Sequence, residues 1–264
     1  VELWLLNNFS TLALAVVVVG GVIVLAVTGS AVTRRRYPAT AQGAHNDMVG
    51  VVLGMFGAIY GVILAFVIVN LWTQLQSAET VVATEASAAA QIVRDADAFP
   101  PEHREPIDAA VGAYVHAVVE QQWPLMQAGS GDYARTAPKL EAVYQAMRAY
   151  TPESQTEQTF YQQAVGSLDQ VVAQRRARIT QSHQQLPVLL QVLVYGGAVV
   201  ILPLTFLYGI HSRRIQLLFV GSVAGLIGFS LLLVLVLDRP FAGELCVSPQ
   251  PFKDGALVRF WPGS

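Results

Sequence analysis

The sequence predicts an all-α membrane protein with four transmembrane helices and an outer, extracytoplasmic helical domain between the second and the third. Three observations predict it. The 264-residue chain is 53% hydrophobic and only 13% charged, too apolar for an ordinary soluble domain. Apolar runs at roughly 9–31, 49–72, 187–210 and 215–237 each reach the length, about 20 residues, that a helix needs to cross a bilayer. Residues 73–186 carry helix-favouring, polar-faced sequence with no strand-like alternation of useful length. The expected organisation is 1–72 for the first two spans, 73–186 for the outer domain, 187–237 for the last two spans and 238–264 for an outer tail.

The first span lacks the signature of a cleaved signal peptide, because Arg34, Arg35 and Arg36 follow the apolar run rather than precede it. That order belongs to an anchor with its N-terminus outside. Arg213 and Arg214 sit in the other short loop. Lys and Arg collect on the cytoplasmic side, so both short loops are expected inside and both termini outside. Trp4 and Trp72 then fall at one interface, Tyr37 and Tyr208 near the other.

The second span starts at His45-Asn46-Asp47, where Asn46 or Asp47 can accept from the free N–H groups of a helix start. No Pro or Gly occurs from Asn70 to Phe99, so one helix of about 50 residues, on the order of 75 Å long, is expected. Pro100-Pro101 ends it. A second outer helix follows, with Ile107, Val111, Tyr114, Val115 and Val118 on one face. A loop at 128–132 and a shorter helix at 133–150 come next. The last outer helix is expected to start with Thr151 as cap and Pro152 at its first position, and to run on through Pro187 into the third span.

Two stripes of small residues stand out: Gly50, Gly54, Gly57 and Gly61 in the second span, and Gly221, Gly225 and Gly228 in the fourth. Small residues let helices approach closely in lipid, within one subunit or between subunits. No ionisable residue lies deep in a span, which argues against a proton relay or an ion-coupled pump. A water-filled path gated by apolar side chains stays open. For such a path the second span offers His45, Asn46 and Asp47 at the inner mouth and Asn70 at the outer one. Phe56, Tyr60 and Phe66, with Ile63 and Val67, would form the constriction. Plain core or lipid contact is the other reading of these aromatics.

His45 and Asp47 are too few to hold a metal, and no cofactor motif or catalytic constellation occurs, so neither an enzyme nor a metalloprotein is expected. With a formal net charge of −2, the chain lacks the basic face of a nucleic-acid binder. Arg175 and Arg178 could form a basic vestibule, contact headgroups, or pair with Glu79 or Glu85 on a neighbouring antiparallel helix. If exposed, such a pair is expected to contribute at most about 1 kcal/mol.

The pattern "HNDMVG…G…YGVILAF…W…A…V..EA", together with "LDRPFAGELCVSPQPF" at 237–252, resembles a bacterial and plant membrane family called bestrophin-like. Asp238, Arg239, Pro240 and Phe241, with Gly243 and Val247, are the most specific part. The resemblance spans nearly the whole chain. It implies kinship with bestrophins, pentameric anion channels with four spans per subunit. Its implications here are a bacterial plasma-membrane location, a homo-oligomer in the lipid bilayer and an anion-leaning channel. A structural or accessory subunit, binding other membrane-protein subunits through its outer helices, is the alternative.

Overall fold

The computed structural model describes residues 2–38, 43 and 45–261, and among these every regular element is helical. Short α1 (Glu2–Asn8) precedes α2 (Thr11–Arg36) and the long α3 (Asn46–Ala96). Then come α4 (Pro101–His116), a π-helical stretch (Ala117–Gln122), α5 (Trp123–Gln127), α6 (Ala137–Arg148) and α7 (Gln155–Ser182). Next are α8 (Val188–Leu207) and α9 (Arg213–Leu237), then two 3-10 helices at Gln250–Lys253 and Gly255–Phe260. Among the described residues four helices, α2, α3, α8 and α9, are long and apolar enough to cross a membrane.

The chain divides into two compact units. One contains residues 1–73, 185–238 and 243–245; the other contains 74–184, 239–242 and 246–264.

In the first unit, α2 packs along α9 and both touch α8. Ala26, Val220 and Ala224 form the buried centre, with Val22, Ile23, Leu202, Phe206 and Phe219 around it. Gly228 lets the helices close up: a Cβ there would stand 3.1 Å from Val19 Cα. At Gly29 a Cβ would meet the Phe206 ring at 2.8 Å, so a second small residue seats an aromatic of α8. The start of α2 is capped twice. Ser10 Oγ accepts from Ala13 N–H, and the Glu244 carboxylate accepts from Thr11 N–H at 2.8 Å. An anion suits that end of the helix dipole.

In the second unit, α3 contributes Ala78, Val82, Ala86, Ala89, Val93 and Ala96 to the core, a repeat of three and four residues that buries one face. α4 buries Ile107, Val111, Tyr114 and Val115 and packs along α6. The π-helical stretch has a local cause. Pro124 has no N–H to give to the carbonyl four residues back, and Trp123 N–H reaches Val118 O, five residues back.

Three local expectations are corrected. Asn46 does not cap α3: its side chain turns to the α8–α9 loop, donating to Gly209 O at 2.7 Å and accepting from Gly209 N–H at 2.8 Å. A primary amide can donate and accept at once, so it pairs with both backbone groups of one residue. The last outer helix starts at Gln155, not at Thr151-Pro152. Ser154 and Glu157 form a reciprocal capping box there, satisfying two free N–H groups. That helix ends at Ser182 and does not run into the third span. Pro187 instead sits at the N-cap of α8, and Asp238 Oδ1 accepts from Leu186 N–H at 2.5 Å. Asp238, badly placed for the end of its own helix, is thereby used at the start of another.

Candidate functional site

The uncovered face of α3 and the buried charges of the helical unit carry the sequence-predicted site residues. At about 100° per residue, Tyr60, Leu64, Val67 and Leu71 fall on one side of α3, and all four are buried. Gly54, Ala58, Gly61 and Ala65 fall together in a narrow exposed stripe, beside exposed Val62, Phe66 and Val69. A Cβ at Gly54, Gly57 or Gly61 would meet nothing within 4 Å. Gly50 comes nearer to cover, its Cβ position 3.6 Å from the Tyr208 ring. In the fourth span Gly225 and Gly228 face α2, whereas Gly221 faces open space.

Tyr60 is buried on the side of α3 that faces α8. Its ring lies over Gly197 of α8, where a Cβ would stand 2.3 Å from it, and its hydroxyl donates to Val194 O at 2.7 Å. A phenol has a wide ring to bury and one proton to place, and a glycine beside a reachable carbonyl meets both demands. Phe56 and Ile63 line an apolar groove of about 640 Å³ against α8. Phe66 lies about 80° round the helix from Phe56 and is 68% exposed. Phe56, Tyr60 and Ile63 thus share this groove, and Phe66 does not line it. His45 and Asp47 are exposed at the start of α3, and Asn70 is exposed near the far end of the apolar run. Among the described residues no cluster of His, Cys, Asp and Glu suits a metal ion.

In the helical unit, Arg178 of α7 donates to both oxygens of Glu85, from Nε at 2.7 Å and from Nη2 at 3.0 Å. Both side chains are fully buried. The expected pairing is thus present between Glu85 and Arg178, and it is enclosed by protein rather than exposed. Tyr114 donates its hydroxyl to Glu85 Oε1 at 2.5 Å, and Arg178 Nη1 lies 3.0 Å from Met126 Sδ. The guanidinium also stands 5.9 Å from the Trp123 ring centre and 6.0 Å from that of Phe252. Burial first, then the Glu85 charge, pushes the Tyr114 phenol well above its ordinary range, so it stays a donor. Burial works to lower Arg178, but the Glu85 charge and hydrogen bonds outweigh it and raise it.

Arg175 finds no carboxylate partner in the described ion pairs. Its Nε donates to Thr136 Oγ1 at 2.8 Å, its Nη2 donates to Tyr133 O at 2.9 Å, and its guanidinium lies over the Tyr133 ring. Glu79 is exposed and takes part in none of the described ion pairs. The arginines expected to act alike thus separate into one ion-paired group and one held by neutral acceptors.

The Asp238–Phe241 motif serves two elements. Asp238 holds Leu186, as above. Arg239 O accepts from Ala242 N–H at 3.1 Å and Pro240 O from Val247 N–H at 2.8 Å, closing the tail into a turn. The Phe241 ring packs edge-on against Trp123 at 5.7 Å.

Periodicity does not reveal Tyr114, Met126, Trp123 and Phe252 as the enclosure of Arg178, because the helical run 101–127 and the tail that carries Phe252 are far apart in sequence from Arg178. Gly197 had a visible signal, the Gly196-Gly197 pair inside an apolar run, but its partner Tyr60 lies in another, distant helix.

A family model described as a Bestrophin-like domain matches residues 20–252. Solved structures similar to the chain include one titled a membrane protein, at 12% identity and a TM-score of 0.67, covering 92% of this chain and 97% of that one. Two structures of a bacterial bestrophin homologue from Klebsiella pneumoniae, each with one substitution, are also similar. They have TM-scores of 0.64 and 0.62 at 13% identity, with 92% of this chain covered and 97% and 98% of theirs. No curated protein matches the chain.

Proposed function

The chain belongs to the bestrophin-like family, and on that premise we propose that it is a homo-oligomeric, anion-leaning ion channel of the bacterial plasma membrane. The observation that supports this most is the open face of α3. A helix with an apolar run long enough to span leaves Gly54, Ala58, Gly61, Ala65, Val62 and Phe66 uncovered along one side. In a ring of subunits that side would divide between a neighbouring chain, against the small residues, and the axis, where Phe66 would narrow the path. Small residues suit close helix contact in lipid, and apolar constrictions can gate. His45 and Asp47 would stand at one mouth and Asn70 at the other.

In this reading α2, α3, α8 and α9 all span. Arg34, Arg35, Arg36, Arg213 and Arg214 lie at the cytoplasmic surface, and residues 73–186 and both termini lie outside, following loop charge.

Reconstitution tests the function. The full chain in liposomes is expected to pass chloride, and Phe66→Ala to change the conductance or the anion preference. Absence of flux across a range of pH, calcium and voltage overturns the channel reading. The chain would then be an accessory subunit.

A further inference from the structure

A cavity of about 280 Å³ opens where α2 ends and α9 begins. Arg34, Arg35 and Arg213 line it, together with Ser30 and Gln216, and among the described residues no carboxylate does. Ser30 and Gln216 are each only 1% exposed, yet Ser30 Oγ and the Gln216 amide nitrogen have no hydrogen-bond partner among the described residues. The Gln216 carbonyl oxygen lies 3.5 Å from Arg34 Nη2, so its amide nitrogen is the end left over. Arg34 itself is held in place by a bond from Nη2 to Ile210 O. The first turn of α9 adds to this, because its cap Ser212 makes no side-chain bond and no acidic residue follows it. Helix starts of this kind favour anions.

We infer that this cavity binds a phosphate group, carried by an anionic phospholipid or free in solution. Three cationic side chains, two unsatisfied neutral groups and a helix start surround one small space. A tetrahedral oxyanion presents acceptors in several directions at once, which a halide does not direct, and guanidinium forks match it. Basic pockets between spanning helices also suit lipid headgroups. The bland alternative is a cavity filled with water that satisfies Ser30 and Gln216. The inference does not rest on ion conduction, and a chain that passes no current can still show it.

The full chain in neutral detergent, titrated with inorganic phosphate against chloride at equal ionic strength, gives one arm. Nanodiscs of phosphatidylcholine with and without phosphatidic acid give the other, read by melting temperature and by lipid retained in native mass spectrometry. Phosphate or phosphatidic acid is expected to raise the melting temperature while chloride does not. A response to phosphate assigns a free anion; a response to phosphatidic acid alone assigns a headgroup. Arg35→Gln with Arg213→Gln, both exposed positions, should weaken binding roughly tenfold or more, as loss of charge-assisted bonds requires. Gln216→Leu should weaken it without lowering the ligand-free melting temperature. If Gln216→Leu fails to fold, the arginine pair decides alone. Equal binding by the arginine variant and the parent chain, or no response beyond chloride in either arm, overturns the inference.

Discussion

Glu85 and Arg178, 93 residues apart in sequence, form a two-point ion pair with no exposed side-chain surface on either partner. Such a pair adds little net stability compared with apolar residues, but it is costly to break, because the remaining charge stays buried. Arg178→Met alone is expected to destabilise the protein by about 3–5 kcal/mol. Glu85→Leu combined with Arg178→Met should lose clearly less than that. Denaturation in mild detergent measures both, and a double variant as unstable as the sum of the singles refutes the account.

Tyr114→Phe removes the hydroxyl that meets Glu85 Oε1. Its expected cost is about 1–3 kcal/mol, since the carboxylate loses a donor that water cannot replace. In the Glu85→Leu background the same change should cost almost nothing, and an unchanged cost there would separate Tyr114 from the pair.

The Glu157 carboxyl is pulled down to about 2, first by the Tyr150 hydroxyl and then by the backbone N–H of Glu153. A folded-state value below the unfolded one means that its contribution is complete above the unfolded carboxyl range, ordinarily near 4.5, and fades as pH falls towards about 2. Hydrogen exchange at the start of α7, corrected for intrinsic rates, should show protection lost over that window. Glu157→Gln should flatten the dependence, and an identical pH profile in that variant would count against the assignment.

Gly197→Ala and Gly57→Ala make the same chemical change in opposite surroundings. The first places a methyl into the Tyr60 ring, and overpacking of this kind costs about 1–3 kcal/mol. The second meets nothing within the chain and should leave its folding unchanged. Gly54→Leu with Gly61→Leu then tests the open stripe, with loss of the oligomer in light scattering expected from a chain that still folds. Retained assembly would remove these glycines from the interface.

The proposed orientation is open to cysteine labelling after Cys246→Ser removes the chain's one thiol. Glu79→Cys should react with a membrane-impermeant maleimide in intact cells, and Arg36→Cys only after lysis. The reverse pattern would invert the topology.

Helical class and spanning capacity were legible because they depend on local pattern. Apolar runs of sufficient length declare themselves in any context, and the absence of Pro and Gly beyond Asn70 foretold a helix that continues to Ala96. The family motif was legible for a similar reason, as a contiguous string from Asp238 to Phe241. Helix periodicity also marked Glu85 and Arg178 as groups that could meet. It could not tell that they meet in the dark, since burial depends on Tyr114, Met126, Trp123 and Phe252 arriving from elsewhere.

The sequence by itself determined which segments are helices, which can enter lipid and which family they belong to, because those properties reside in short-range spacing and side-chain polarity. Tertiary structure decided which face of each helix is used. Tyr60 turned to Gly197, Asn46 to Gly209 and Asp238 to Leu186. In each case a polar group had several partners allowed by its local sequence. The one that satisfied it was set by a backbone brought near from a distant part of the chain, where leaving a buried donor or acceptor empty would have cost more than any local alternative could return.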